Sequence, residues 1–196
     1  MNLKDSKTKV NLMKAFAGES QARNRYTFAA EAAKKENLQL IEQIFTYTAN
    51  QELAHANVFY KHLKEFSGQQ ITINSSDYPV NIYDSTLENL KAAQHNEFEE
   101  YDVVYKDFAK IAEEEGFPAI ASHFSKIASI EKVHSDRFDK YLKYLESGSL
   151  FKKSQDTTWF CLNCGFIYQG TEAPKACPVC EHPQGYFILV DESPFK

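Results

Sequence analysis

Two Glu-x-x-His units, Glu52-Leu53-Ala54-His55 and Glu131-Lys132-Val133-His134, each set a carboxylate and an imidazole three residues apart. On a helix those positions share a face, so a single turn offers a metal one hard oxygen and one borderline nitrogen. Glu19 and Glu97 precede the two units by 33 and 34 residues (52 − 19 and 131 − 97). One glutamate from each of two helices, with a Glu-x-x-His from each of two others, is the donor set of a di-iron or di-manganese site inside a helical bundle. Glu100 adds a fifth carboxylate three residues after Glu97, where the first half of the chain has Ala22. Against five glutamates, two Fe(II), or two Fe(III) with one oxide, leave the same single negative charge. Such a site changes oxidation state without changing its net buried charge. Tyr26, seven residues after Glu19, and Tyr105, five after Glu100, are spaced to orient ligand carboxylates through their hydroxyls.

The four cysteines all fall in the last 36 residues, as Cys161-x-x-Cys164 and Cys177-x-x-Cys180. Paired knuckles of this kind make a tetrahedral four-thiolate site. Zinc and iron both accept it. Trp159 before the first knuckle, Tyr168 after it and Pro178 inside the second favour iron. In a reducing compartment the pattern reads as metal rather than disulfide.

These residues must be positioned by helices. Four segments carry an apolar period of three to four residues, through Leu12–Ala33, Ile41–Phe66, Leu90–Ile111 and Phe117–Leu145, and each stripe has acid at its middle. Unpaired carboxylates so placed would cost several kcal/mol each, against a domain stability of about 5–15 kcal/mol, so cations are expected among them. Glu36-Asn37 is expected to break the first helix, Ser67-Gly68 to end the second, Gly116 to end the third, Pro118 to start the fourth and Ser147-Gly148-Ser149 to close the bundle. Residues 67–85, with Asn74-Ser75-Ser76-Asp77 and Pro79, form one long crossover between two short-looped hairpins. The expected fold is an all-α, ferritin-like four-helix bundle over residues 1–150. A small C-terminal β/loop metal domain follows over 155–196, with Trp159–Cys161 and Tyr186–Val190 as β-like runs. The repeat between the halves predicts a pseudo-twofold axis setting Glu19 opposite Glu97 and Glu52/His55 opposite Glu131/His134.

The chain has 196 residues, a formal net charge of −5, 43% hydrophobic residues, and only 7 Gly and 6 Pro. No basic run suggests nucleic acid, and no 18-residue apolar run or leader pattern suggests a membrane span or export, so a cytoplasmic protein is expected. His62, His95, His123 and His182 lack matching partners and are read as surface or supporting residues.

On these residues the sequence resembles the rubrerythrin family over essentially its whole length. The matching segments are Ala17–Tyr26, Glu52-Leu53-Ala54-His55, Glu97-Phe98-Glu99-Glu100 followed by Tyr105, Glu131–His134, and Trp159 through Cys180-Glu181-His182-Pro183. The resemblance implies a cytoplasmic enzyme that reduces hydrogen peroxide to water in oxidative stress protection. Its cofactors would be three Fe per chain: a di-iron site in the bundle and one Fe in the rubredoxin-like domain. Zinc can replace iron in a purified preparation. Electrons would come from an NAD(P)H-dependent rubredoxin reductase, or from rubredoxin, through the cysteine iron to the di-iron site. By the same likeness Glu19, Glu52, Glu97, Glu131 and His134 hold the irons throughout, and one iron exchanges His55 for Glu100. Gln94-His95-Asn96 stands where the family often has Gly before the first Glu of helix three, and the crossover is somewhat long. Both departures bear on solvent access more than on ligation. His134 lies eleven residues before Leu145, about 16 Å of helix. A domain beyond that end is expected to serve the di-iron site of a second copy, in a homodimer. Two competing readings are a ferroxidase or iron-handling protein using dioxygen, which has no need of an electron inlet, and a non-catalytic zinc-ribbon interaction protein, which would lack the red colour of ferric thiolate.

Overall fold

A computed structural model of the chain describes residues 2–74 and 76–193. Ser75 of the crossover, Met1, and the last three residues of the expected C-terminal domain lie outside the described residues. Helix α1 (Lys7–Lys35) starts at Ser6, whose hydroxyl accepts from the Lys9 amide at 3.0 Å. It stops where Asn37 takes φ 58°, and α2 (Gln39–His62) returns antiparallel. The second hairpin runs through α3 (Thr86–Glu99), a π-helical turn (Glu100–Val104) and α4 (Tyr105–Glu114). It reverses at Gly116, φ 84°, into α5 (Pro118–Glu146), with Pro118 in the first turn. The crossover holds no further helix or strand among its described residues beyond the short turn Lys64–Phe66 at its start.

The third helix is therefore not the unbroken rod its apolar period suggests. Glu19 to Tyr26 is seven residues and Glu97 to Tyr105 is eight, yet Tyr26 to Glu52 and Tyr105 to Glu131 are both 26. One extra residue lies between Glu97 and Tyr105, where the helix widens into its π turn. A π turn takes up an inserted residue without throwing the following helix out of register. Elsewhere the repeat is tight. Leu12 and Leu90, Ala15 and Ala93, Phe45 and Phe124, and Phe59 and Phe138 are corresponding pairs, and all are buried. The hairpins also cap each other. Glu36 accepts from the Thr86 amide at 2.8 Å, and its counterpart Glu115 accepts from the Lys7 and Thr8 amides at 2.9 and 2.8 Å.

Apolar side chains fill both ends of the bundle and leave the acids between them. Tyr26, Phe45, Leu90 and Phe138 belong to the core nearer the C-terminal domain. Leu12, Phe59, Tyr105 and Phe124 belong to the other. The C-terminal domain is a three-stranded antiparallel sheet in the order β2-β1-β3, from β1 (Lys152–Cys161), β2 (Ile167–Glu172) and β3 (Phe187–Leu189). Its own core is Trp159, Cys161, Ala173, Cys177 and Phe187. It seats on the loop end of the bundle. Ile188 joins the bundle core, and Glu192 accepts from Tyr141 and Tyr144 at 3.2 and 3.0 Å. A Cβ on Gly185 would lie 2.0 Å from the Asn37 carbonyl oxygen, so only glycine allows this approach.

Candidate metal centres

All four bundle acids and both imidazoles of the repeat meet in the gap between the two apolar cores. Two groups form, each with ligand atoms within 4.8 Å of one another: Glu19, Glu52, His55 and Glu131, and Glu52, Glu97, Glu131 and His134. Glu52 and Glu131 belong to both. The arrangement is that of two adjoining cation positions with two shared carboxylates, each completed by one further glutamate and one histidine. His55 Nδ1 stands 3.0 Å from Glu131, 3.3 Å from Glu52 and 3.6 Å from Glu19. His134 Nδ1 stands 2.8, 2.9 and 3.2 Å from Glu131, Glu52 and Glu97. The two rings are nearly parallel, 18° apart, with centroids 5.6 Å apart.

The electrostatics require cations. Glu19, Glu52, Glu97, Glu131 and His134 are at most 1% exposed. One oxygen of Glu19, both oxygens of Glu52 and Glu131, and His55 Nδ1 are buried without a hydrogen-bond partner. Native interiors do not leave so many polar atoms unpartnered in one place unless something else binds them. With no metal charge among them, burial pushes Glu19 and Glu97 well above the usual carboxylate range, and the neighbouring acids push further, Glu131 most on Glu19 and Glu52 most on Glu97. Burial raises Glu52 too, but the His134 and His55 rings beside it outweigh burial and hold it low. Both imidazoles are opposed by burial yet raised by the carboxylates around them, His134 to about 12. Divalent or trivalent cations would offset the same field, and hard oxygens with two nitrogens suit iron.

Tyr26 and Tyr105 hold the terminal acids crosswise. The Tyr26 hydroxyl donates to Glu97 of the other hairpin, and the Tyr105 hydroxyl donates to Glu19. Both phenols are buried, and burial with the acceptor's charge keeps them protonated. Glu100, first residue of the π turn, stands outside both four-residue groups. Burial, and then the charges of Glu131 and Glu52, raise its carboxyl to about 8. It opens onto a cleft of about 340 Å³ that Gly18, Tyr78 and Tyr105 also line.

Several neighbours of the site are not apparent from the motifs. Gln51 and Arg137 bond around His134: Gln51 Oε1 lies 3.1 Å from His134 Nε2 and 3.0 Å from Arg137 Nη1. Arg137 could have been found, since it stands one turn after His134. Gln51 could not, because its partner is on the other hairpin. Arg25 donates to Asn81 of the crossover at 2.9 Å, and Asn96, just before Glu97, donates to the same oxygen at 2.8 Å. The unusual residue before Glu97 thus ties the crossover to the bundle. Of the remaining histidines, His95 is exposed and His62 pairs with His123 at the surface, 2.7 Å between ring nitrogens. His182 lies beside the second knuckle, 3.0 Å from the Cys180 carbonyl.

The second centre is simpler. All four cysteines are free thiols. Cys161 and Cys180 sulfurs are 3.8 Å apart, and Cys164 and Cys177 sulfurs 3.6 Å. A tetrahedron with metal–sulfur bonds of about 2.3 Å has edges of about 3.8 Å. The backbone N–H of His182 leads the pull of Cys180 down to about 6, so one thiolate is formed readily.

A ferritin-like bundle whose two acid–histidine groups share Glu52 and Glu131, joined to a four-thiolate domain, defines a class of iron-binding redox proteins. Comparison with known proteins agrees. The family model described as rubrerythrin matches residues 10–142, and that of the rubrerythrin rubredoxin-like domain matches residues 159–188. The chain is 48% identical to the rubrerythrin of Clostridium perfringens over 98% of both chains. It is 42% identical to that of Nitratidesulfovibrio vulgaris over 96% of this chain and 97% of the other. Nigerythrin solved in a partially reduced state superposes with a TM-score of 0.62 at 29% identity, covering 94% of this chain and 90% of that one. A Desulfovibrio desulfuricans bacterioferritin, TM-score 0.65 at 21% identity over 76% of this chain and 86% of the other, shares the bundle fold. The chain belongs to the rubrerythrin family. No helix among the described residues is long and apolar enough to cross a membrane.

Proposed function

We propose that this chain is a cytoplasmic peroxidase that reduces hydrogen peroxide to water with two electrons and two protons. The observation that carries the proposal is the sharing of Glu52 and Glu131 between two cation positions. In this reading residues 1–150 are the di-iron domain and 155–196 the mononuclear iron domain, with three irons per chain, any of which zinc can replace in a purified sample. An iron pair held there would supply both electrons at once, which would avoid releasing hydroxyl radical.

The chain's own groups do the rest. Glu52 and Glu131 would hold both metals. Glu19 with His55, and Glu97 with His134, complete the two ends, and Tyr105 and Tyr26 fix the terminal carboxylates. Glu100 is the carboxylate that would take the place of His55 on an oxidised metal. The cleft beside Glu100 admits a molecule as small as peroxide.

The electron route is from NAD(P)H through a rubredoxin reductase, or rubredoxin, to the cysteine iron and then to the bundle. Distance favours transfer between chains. Gly185 touches the turn before α2, and thirteen residues of that helix, about 20 Å, separate Gln39 from Glu52. A homodimer brings one chain's cysteine domain to the other's acids. Exposed Phe28, Tyr47, Leu53 and Tyr60 on α1 and α2 give the bundle an apolar face for such contact.

The test is anaerobic single-turnover mixing of the fully reduced protein with peroxide. Rapid reoxidation of both centres is expected, with the red ferric-thiolate colour appearing after the bundle iron reacts. Reoxidation by dioxygen but not by peroxide would turn the assignment toward ferroxidase chemistry.

A further inference from the structure

The two histidines are equivalent in the repeat but not in their support. The offset between the hairpins is 79 residues at this level (131 − 52 and 134 − 55). It maps Gln51 onto Ile130 and Arg137 onto Val58, so the groups beside the two imidazoles can be compared directly.

Around His134 the hydrogen bonds settle the role of Nε2. A guanidinium only donates, so the Gln51 atom that Arg137 Nη1 meets at 3.0 Å is the amide oxygen. The same oxygen lies 3.1 Å from His134 Nε2, which must therefore carry the proton and donate. Nδ1 faces the carboxylates, 2.8 to 3.2 Å away, and is the nitrogen that a metal would take in place of its proton. Arg137 is itself fixed. Its Nη1 also donates to Thr48 Oγ1 at 2.9 Å, Thr48 donates to the Ile44 carbonyl at 3.0 Å, and the guanidinium lies over the Tyr47 ring at 5.1 Å. Around His55 the corresponding side chains are hydrocarbon, Ile130 and Val58. Among the described residues none hydrogen-bonds His55 Nε2.

We propose that Gln51 and Arg137 are positioning residues that make His134 a permanent metal ligand, and that Ile130 and Val58, by offering no such bond, leave His55 free to depart. This rests on the two-metal reading above and adds what selects the mobile histidine. The one-sided amide and guanidinium distinguish the two rings. A partner holding the second nitrogen fixes ring orientation and tautomer and raises ligand basicity, and losing such a partner typically weakens metal binding by about 10- to 100-fold.

The experiment uses the full-length protein loaded with Zn(II), which is diamagnetic, and reads histidine ring N–H protons by nitrogen-resolved NMR. Metal content is measured in parallel. In the wild type, a slowly exchanging Nε2–H signal is expected for His134 and a fast-exchanging or absent one for His55. Gln51→Leu should abolish the slow signal and speed loss of one bundle metal to a chelator by about 10- to 100-fold. Gln51→Glu, which keeps an acceptor oxygen, should restore the signal. Ile130→Gln with Val58→Arg should give His55 a slow signal of its own. Equal exchange at the two rings in the wild type would overturn the proposal with no variant needed. So would unchanged metal loss in Gln51→Leu. Fewer than two Zn(II) in the wild-type bundle would instead sink the two-metal reading.

Discussion

The two helical hairpins, α1–α2 and α3–α5, present the same list of side chains to a common axis and differ in a handful of places. Each supplies a terminal glutamate, a tyrosine, a shared glutamate and a histidine, at spacings that agree to the residue apart from one insertion. That insertion is the π turn, and its first residue is Glu100. The other difference is the support of the histidines, polar on one side and hydrocarbon on the other. In the proposed reading the sameness builds a site for two like cations. The differences make the two positions unlike, and on the proposals above the spare carboxylate and the less supported imidazole are what would allow rearrangement.

The largest effect should come from breaking what the hairpins share. Glu52→Ala is expected to lose both bundle metals, because both positions use that carboxylate, whereas Glu19→Ala should lose only one. Metal content after dialysis against a chelator checks it, and equal losses would break the comparison. Next comes the insertion. Deleting Asp102 restores the seven-residue spacing of the first hairpin and closes the π turn. X-ray absorption should then show the same histidine count per bundle iron in the ferrous and ferric forms, where the wild type is expected to show a change. Tyr26→Phe and Tyr105→Phe come third. Each leaves a buried carboxylate oxygen without its donor, so each should cost about 1–3 kcal/mol in denaturant unfolding, and the repeat predicts similar costs. Last are the caps. Glu115→Ala should cost about 1 kcal/mol and Glu36→Ala less, since Glu115 serves two amides and the Thr8 hydroxyl while Glu36 serves one amide. Burial opposes ionisation of Glu115, but bonds from Thr8 and Lys7 outweigh it and hold its carboxyl below the ordinary 4.5. A depressed carboxyl stabilises fully above that value and fades as pH falls through its folded value. The Glu115→Ala penalty should therefore be constant near neutrality and vanish in acid.

The helices, their ends and the four cysteines were legible because each is encoded locally. Leu12 to Ala33 repeats at helical spacing, Asn37 and Gly116 stop helices by backbone conformation, and the paired knuckles fix a tetrahedron. The meeting of Glu19 with Glu52 was legible through repetition, since Glu97 and Glu131 obey the same rule one hairpin later. The tyrosine bonds were half legible: spacing put Tyr26 and Tyr105 near the acids, but that each would cross to the other hairpin's glutamate depends on tertiary packing. The π turn was written in the spacing, as eight residues against seven, but an apolar period of three to four absorbs one extra residue without showing it. The bonds of Gln51 with Arg137, and of Asn96 with Asn81, join residues distant in sequence, and no local pattern announces them.

Anomalous diffraction at the iron edge, on crystals of the iron-loaded protein, tests the account at its root. Three peaks per chain are expected: two in the bundle, both in contact with Glu52 and Glu131 and each with one of the two imidazoles, and one among Cys161, Cys164, Cys177 and Cys180. A single bundle peak, or two that do not share those carboxylates, would contradict it.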